Sequence, residues 1–449
     1  MLFGAGRAAG DEASGTPAAD WDAAFTRSSG WTGADAAGTV DLLDGRVLWA
    51  FGDTWIGPVV DNRHAGATIV NNSLAIQPAP RDTTGAAPHD TAGRAPRDGE
   101  LRFFWGAEAR GRPLAWLAPA APAGANDPGR AGGQPAPADE RWYWFTGGGV
   151  VGRRRVGDGR ATAPQLALFL FDIARRKDVQ DGVWSFEGRG SVLATIDDFA
   201  GDPSTWRVEQ RSIPLAVSAG AAKRDPALQE TAWGMAALVE PRKLPDDDPA
   251  GAGPGAASPG ADGQIYIYGV RSRSSLERGL LVARVPADRI TDFDAWTVYA
   301  GGGHWSPSPG EAVAVAANVP TELSVERIRL GGQSLLAMIH SEPPLGDRVL
   351  LRVARRPEGP WSQPTPIFRA PEPARDRRFF AYAAKGHAPL SAPGELLVSY
   401  VVNSHDFWSM AADASIYRPR LFRFAPSRAQ IEALLASVDA SSDAGGGAK

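Results

Sequence analysis

Two aspartates in the first part of this sequence have small neighbours that leave room for a ligand. Asp35 lies in GADAAGTV and Asp53 in FGDTW. Both belong to one predicted hairpin with LDGR at its turn, so the two carboxylates are expected on the same side of the sheet. Close carboxylates raise the pKa of one partner, which suits an acid and base pair. The simpler alternative is that Asp53 caps a turn and that Asp35 marks a bend.

Further polar and aromatic residues are candidates for the same site. Glu322 stands at the start of an alternating strand and would be a third, orienting carboxylate, although a solvated strand-end charge is equally compatible. Lys385 and His387 are two residues apart and would share one strand face, where both could meet sugar hydroxyls. A structural role for the histidine remains open. Trp144 and Trp233 are expected to stack on sugar rings, but packing between strands explains them equally well.

The elements that position these residues are predicted to be β-strands. The chain has 449 residues with 43% hydrophobic and 22% charged, enough to bury a large core. Fifteen tryptophans, four methionines, 52 glycines and 37 prolines favour short strands joined by tight turns.

One strand pattern recurs five times after a turn. It begins at Asp44 (DGRVLWAFGDTW), Ala163 (APQLALFLFDI), Asp262 (DGQIYIYGV), Gly331 (GGQSLLAMIH) and Pro393 (PGELLVSYVV). Neighbouring runs complete four strands around most of these repeats. The sequence therefore predicts an all-β fold, a five-bladed β-propeller with four-stranded antiparallel blades and a central funnel.

The predicted domain organisation is one propeller over residues 20–426. Residues 1–19 are expected to be a disordered N-terminal segment, and 427–449 a polar tail that is helical or disordered. Stretches rich in alanine, proline and glycine near 79–100, 118–138 and 245–263 are interpreted as flexible surface insertions. Residues 20–29, DWDAAFTRSS, are predicted to supply the N-terminal strand that closes the ring.

Several classes of chemistry and partner are disfavoured. The absence of cysteine removes disulfides, thiolate metal sites and a cysteine nucleophile. No zinc-protease, Walker or GxSxG motif occurs, and the six histidines lack metal-ligand spacing. We therefore expect no metal among the site residues and no cofactor, while a structural calcium ion in the central channel stays open.

The charge and hydropathy patterns bear on partners and location. With 47 basic and 51 acidic side chains, the net charge of -4 argues against nucleic acid as a partner. No apolar run is long enough for a membrane helix, and the start MLFGAGRAAGDEASG lacks a signal-peptide core. We expect the protein to be a monomer, to bind carbohydrate, and not to bind a membrane.

Several of these segments together resemble a known family. The carrying runs are GADAAGTVDLLDGRVLWAFGDTWIG, NNSLAIQP with Asn72, DPSTWRVEQRSIP, TELSVERI and YAAKGHAPLS. Over residues 20–425 they resemble bacterial propeller proteins of unknown function, related to endo-D-arabinanases. The resemblance implies a five-bladed propeller, export from the cell, and catalytic aspartates at the positions of Asp35 and Asp53. It departs from the family pattern at Ala36 and Ala37, and at Ala388 and Leu390.

The sequence therefore predicts a glycoside hydrolase acting on a furanoside-containing, arabinan-like polysaccharide. Asp35, Asp53 and Glu322 would be catalytic, and Asn72, Trp144, Trp233, Lys385 and His387 would bind substrate. The alternatives are a non-catalytic carbohydrate-binding propeller and a protein-interaction scaffold. The sequence leaves open the sugar and linkage, endo or exo action, the stereochemical outcome, and which aspartate is the acid.

Overall fold

The chain is an all-β protein in which five antiparallel sheets follow one another in sequence. A computed structural model describes residues 14–77, 93–97, 99–109, 111–120, 141–157, 161–176, 185–240, 263–274 and 277–446. We number the sheets 1 to 5 in chain order. In sheets 1 to 4, the first strand is the one that comes earliest in the chain. In sheet 5, the first strand is Phe379–Gly386, and a strand from the N-terminal segment lies at the opposite edge.

The strands of each sheet are paired in the following order. Sheet 1 contains Gly38–Asp41, Val47–Phe51, Ser73–Gln77 and Arg102–Phe104. Sheet 2 contains Arg141–Val156, Ala161–Arg175, Phe186–Ile196 and Glu209–Ser212. Sheet 3 contains Glu230–Glu240, Gln264–Ser272, Arg278–Pro286, Thr297–Gly301 and His304–Ser306, with Ala316–Ala317 paired to its third strand. Sheet 4 contains Leu323–Leu330, Gln333–Ser341, Arg348–Ala354 and Thr365–Arg369. Sheet 5 contains Phe379–Gly386, Leu396–Ser404, Pro419–Phe424 and Thr16–Pro17.

Smaller elements lie in the connections. A three-stranded sheet joins Trp31–Ala34, Thr54–Ile56 and Thr68–Val70. Two-stranded ribbons pair Val59–Val60 with Arg63–His64 and Gly106–Ala109 with Arg112–Leu114. The α-helices are Ala19–Ala24, Ala219–Arg224, Glu372–Arg375, Trp408–Ala412 and Arg428–Gly446. Short 3-10 helices occur at Pro203–Thr205, Phe293–Ala295, Pro309–Glu311 and Ala388–Leu390.

The hydrophobic core consists of five clusters, each shared by two sheets. Four of them join sheets 1 and 2, 2 and 3, 3 and 4, and 4 and 5. The fifth joins sheet 5 to sheet 1, where Leu397 and Leu421 pack with Trp49 and Phe51. Every sheet therefore buries both of its faces against neighbouring sheets.

Burial on both faces explains the long apolar runs in the sequence. In sheet 2, Leu166, Leu168 and Leu170 contact sheet 1. The intervening Ala167 and Phe169 contact sheet 3. Since successive side chains of a strand point to opposite faces, a strand between two cores must be apolar at nearly every position.

The N-terminal segment differs from the sequence prediction. The strand that joins sheet 5 is Thr16–Pro17, which pairs with Phe422 and Arg423, so the described part of the predicted N-terminal segment contains a strand. The expected closing strand at 20–29 is wrong, because Ala19–Ala24 is a helix. Trp21 and Phe25 are four residues apart and lie on one helical face, where both are fully buried.

The C-terminal tail, predicted as helical or disordered, contains the helix Arg428–Gly446. Most of the three predicted insertions lies outside the described residues, as do residues 1–13. Within the described ranges, no helix combines the length and apolarity that crossing a membrane would require.

Candidate functional site

The three predicted catalytic carboxylates come together where the first strands begin. Asp35 precedes the first strand of sheet 1, Asp53 follows the second, and Glu322 directly precedes sheet 4. We call Asp35, Asp53 and Glu322 the carboxylate cluster. After burial, the charges of Glu322 and Asp53 are the further causes that raise the pKa of Asp35.

The backbone holds Asp35 and Asp53 side by side at the open end of the hairpin. The Asp35 N–H donates to the Asp53 carbonyl at 3.3 Å, and the Gly52 N–H donates to the Asp35 carbonyl at 3.1 Å. A Cβ at position 52 would lie 2.3 Å from Oδ1 of Asp35, so glycine is required there. Both aspartates are partly exposed.

The Asp35 carboxyl is anchored through one oxygen. Its Oδ2 accepts hydrogen bonds from the Tyr382 hydroxyl at 2.7 Å and the Tyr417 hydroxyl at 2.9 Å. Burial, followed by the charges of Glu322 and Asp53, raises the pKa of Asp35 well above its ordinary value, whereas the two phenols act to lower it. Asp35 therefore favours its protonated form.

The Asp53 carboxyl is held by a different pair of donors. Its Oδ1 accepts from the Trp144 indole Nε1 at 2.6 Å and from the Asn71 amide at 3.2 Å. Burial raises the pKa of Asp53 to about 6, against the lowering effect of these two donors. At neutral pH Asp53 therefore favours its ionised form, and Asp35 holds its proton more tightly than an ordinary aspartate does.

Glu322 is oriented by an ion pair with sheet 5. The Lys385 ammonium donates to its Oε2 at 3.0 Å. The side chain of Lys385 is 1% exposed and that of Glu322 is 20% exposed. Lys385, predicted to bind substrate, is thus paired with Glu322 and orients this third carboxylate.

Three other residues predicted to bind substrate lie inside the protein. Asn72 is fully buried, and its amide bridges the backbone of Leu117 and Tyr143. Trp233 is buried in the cluster between sheets 2 and 3, with its indole N–H donated to the Leu215 carbonyl. Because both side chains are buried with hydrogen-bond partners elsewhere, the structure brings neither of them to the carboxylate cluster.

His387 is the third of these buried residues. Its ring is fully buried 4.8 Å from the Trp49 ring, with Nδ1 bonded to the Thr39 hydroxyl and Nε2 to the Ser399 hydroxyl. Burial lowers the pKa of His387 to about 3, so it is neutral. It links sheet 1 to sheet 5 instead of contacting a ligand.

Sequence reasoning missed residues that complete the site. Asn71, not Asn72, faces Asp53, because neighbouring residues of an extended segment point to opposite sides. Tyr417 lies in a loop far from any other candidate, and no local pattern marks it. Tyr382 is a polar residue of the first strand of sheet 5, and its local sequence does not distinguish it from other strand tyrosines. Across the described ranges no cluster of three potential ligands suited to a metal ion is found.

Solved structures of other proteins align with most of this chain. A protein of Bacteroides ovatus described as a "putative hydrolase" aligns with a TM-score of 0.54 and 19% identity, over 91% of this chain and 89% of that one. An exo-beta-1,3-galactanase of Phanerochaete chrysosporium gives a TM-score of 0.36 and 10% identity, over 88% of this chain and 62% of that one. The GH43 protein BlXynB of Bacillus licheniformis gives 0.34 and 7%, over 88% and 52%.

At 19% identity, the likeness to the Bacteroides ovatus protein concerns the fold alone. No curated protein matches the sequence. The resemblance to a family of unknown function is confirmed, because a family match extends over residues 18–427. This chain belongs to the family described as "Domain of unknown function (DUF5005)".

Proposed function

We propose that this protein is a glycoside hydrolase built on a five-bladed β-propeller. Five sheets in chain order, each buried on both faces, and a core cluster between the last and the first support a closed ring of blades. The observation that carries the activity is the pair Asp35 and Asp53, two adjacent carboxyls with unequal affinity for a proton.

The roles follow from the two environments. Asp35, with the higher proton affinity, acts as general acid and protonates the glycosidic oxygen as the carbon–oxygen bond breaks. Asp53, ionised above a pKa of about 6, takes a proton from the attacking water or itself attacks the anomeric carbon. Glu322 keeps the proton affinity of Asp35 high through its charge.

The substrate is proposed to be a furanoside-containing, arabinan-like polysaccharide. This part rests on the resemblance of FGDTW and KGHAPL to relatives of endo-D-arabinanases. Trp144 borders Asp53 and forms an edge contact with Phe186 at 4.8 Å. Its half-buried ring offers an aromatic surface beside Asp53 on which a sugar ring can stack.

The test is a panel of arabinans, galactans and other glycans incubated with the wild type, Asp35→Asn and Asp53→Asn. We expect cleavage of at least one glycan and a loss of more than about a hundredfold in each variant. Asp61→Asn is the matched control, since Asp61 is exposed and lies outside the cluster. Turnover that survives Asp53→Asn removes Asp53 from the chemistry, and binding without turnover identifies a carbohydrate-binding propeller.

A further inference from the structure

Two tyrosines, Tyr382 and Tyr417, contact Asp35 from a different sheet. Both come from sheet 5 or its connections, whereas Asp35 belongs to the beginning of sheet 1. Their hydroxyl groups converge on the same oxygen, Oδ2. A carboxylate oxygen offers two lone-pair positions, so two donors occupy both.

The backbone around this contact is strained. Tyr417 itself has φ +58°, and Ala383, next to Tyr382, has φ +55°. Ala36 and Ala37, directly after Asp35, have φ +65° and +48°. A left-handed conformation is unfavourable for residues with a Cβ, and such positions concentrate where function over-determines the backbone.

Contacts with two other segments hold the backbone of Tyr417 in place. Its N–H donates to the Val402 carbonyl at 2.9 Å. Its own carbonyl lies 2.6 Å from the place that a Cβ of residue 33 would take, so Gly33 is needed for this approach. The phenol is thereby delivered to Asp35 by the packing of two segments far apart in sequence.

A third residue sets the direction of one hydrogen bond. The Ser404 N–H donates to Oδ1 of Asn403 at 2.7 Å, which fixes the orientation of that amide. The amide nitrogen of Asn403 then donates to the Tyr382 hydroxyl oxygen at 3.3 Å. With its oxygen accepting from Asn403, Tyr382 has its own hydrogen left for Asp35.

We propose that Tyr382 and Tyr417 are positioning residues, a clamp that occupies Oδ2 of Asp35 and confines its transferable proton to Oδ1. This inference rests on the proposed function. Oδ1 faces Gly52, and among the described residues no hydrogen bond engages it. When Oδ1 gives its proton to the leaving oxygen, the charge left on the carboxylate is stabilised at Oδ2 by the two phenols.

The charged and titratable groups facing Asp35 are Glu322 and Asp53, which oppose its ionisation, and the two phenols, which favour it. Lys385 is engaged by Glu322. Removing one phenol takes a donor from the ionised form and leaves both negative neighbours in place. The pKa of Asp35 must therefore rise further in such a variant.

The experiment is a titration of aspartate carboxyl carbons by NMR, with the Asp35 signal assigned from its absence in Asp35→Asn. We expect Tyr417→Phe and Tyr382→Phe each to raise the pKa of Asp35 by about one unit. Tyr400→Phe is the control, because its hydroxyl is buried in the same sheet but donates to Glu372. An Asp35 titration unchanged in both clamp variants overturns the proposal.

Kinetics on a cleaved glycan give a second readout. We expect kcat to fall about tenfold to a hundredfold in Tyr417→Phe with KM little changed, and the alkaline limb of the pH profile to move upward. A proportionate rise in KM alone would contradict a positioning role. If no glycan is cleaved, the glycosidase proposal fails, whereas the carboxyl titration still decides whether the clamp holds Asp35.

Discussion

Asp35 and Asp53 are chemically identical side chains that differ in what surrounds them. Asp35 is next to two negative charges, and Asp53 receives an indole N–H and an amide N–H on one oxygen. Burial raises the pKa of both side chains, and their neighbours then make the proton affinities unequal, as the proposed acid and base roles require.

The hydrogen bond from the Trp144 indole lowers the pKa of Asp53, and its removal should change the pH dependence of activity. A base of pKa about 6 must lose its proton, so kcat/KM should rise with pH through about 6 and fall again where Asp35 ionises. The Trp144 indole N–H, 2.6 Å from Oδ1 of Asp53, stabilises the ionised form of Asp53. Trp144→Phe removes this donor. We expect the acid limb of the profile to move up by about one pH unit.

Trp142→Phe is the matched control for this measurement. The Trp142 ring lies 5.7 Å from the Trp144 ring, and within the described part of the chain its buried indole Nε1 has no hydrogen-bond partner. Its loss should leave the acid limb where it is. Equal shifts in the two variants would mean that aromatic packing, and not the hydrogen bond, sets the proton affinity of Asp53.

The sequence predicted the cluster better than its surroundings. Asp35, Asp53 and Glu322 were identifiable because small neighbours and strand ends are local features. Asn72 and Trp233 were misassigned since side-chain direction depends on register and on which sheet packs alongside. Tyr417 could not be predicted, because its role arises from contact between residues 382 positions apart.

Among the elements, the first strands of the sheets depart from regular pairing near the site. The register shifts between Phe145 and Gly149 in sheet 2, between Trp233 and Ala236 in sheet 3, and between Tyr382 and Lys385 in sheet 5. Such bulges redirect side chains. The strand pattern itself was predictable from alternation and turns, whereas the bulges follow from the close approach of neighbouring sheets.

Glu326, in the first strand of sheet 4, is a carboxyl that the proposed chemistry does not use. Its Oε2 accepts from the Ala388 N–H at 3.1 Å. Burial raises the pKa of Glu326 from 4.5 to about 8. The folded state therefore holds this proton more tightly than the unfolded state, and the free energy of unfolding falls as pH rises from about 4.5 to about 8.

Glu326→Gln should stabilise the protein at alkaline pH. Glutamine keeps an oxygen for the Ala388 N–H but carries no proton to lose. We expect the free energy of unfolding near pH 8 to increase by about 1 to 3 kcal/mol, with little change below about pH 4.5, where Glu326 is mostly protonated in both the folded and the unfolded chain. Urea unfolding across this range measures it.

Glu277→Gln is the corresponding control at an exposed turn, and it should change neither the stability nor its pH dependence. A Glu326→Gln protein that parallels the wild type at every pH would show that Glu326 titrates normally.

At the scale of the whole molecule, the two chain ends contribute differently. The N-terminal segment closes the gap between sheets 5 and 1: Trp21 and Phe25 fill the core cluster there, and Oδ1 of Asp22 accepts the Leu421 N–H at 2.8 Å. The C-terminal helix packs Leu434 and Val438 on the cluster of sheets 4 and 5, away from that junction.

The carboxylate cluster depends on the same junction. Asp35 is held by tyrosines of sheet 5, and Thr39 of sheet 1 bonds to His387. Separating sheet 5 from sheet 1 at this junction would therefore part Asp35 from its donors. Loss of the C-terminal helix removes apolar packing from one outer surface and leaves these contacts intact.

Two variants should accordingly differ in kind. Trp21→Ala leaves a large cavity at the junction and is expected to lower the free energy of unfolding by about 3 to 5 kcal/mol. Activity and the NMR signal of Asp35 should be lost at a lower temperature than in the wild type.

A chain that ends at residue 426 should lose a smaller amount of stability and keep the wild-type kcat. Thermal unfolding followed alongside glycan cleavage separates the two, and full activity with unchanged stability in Trp21→Ala would mean that the ring closes without the N-terminal segment.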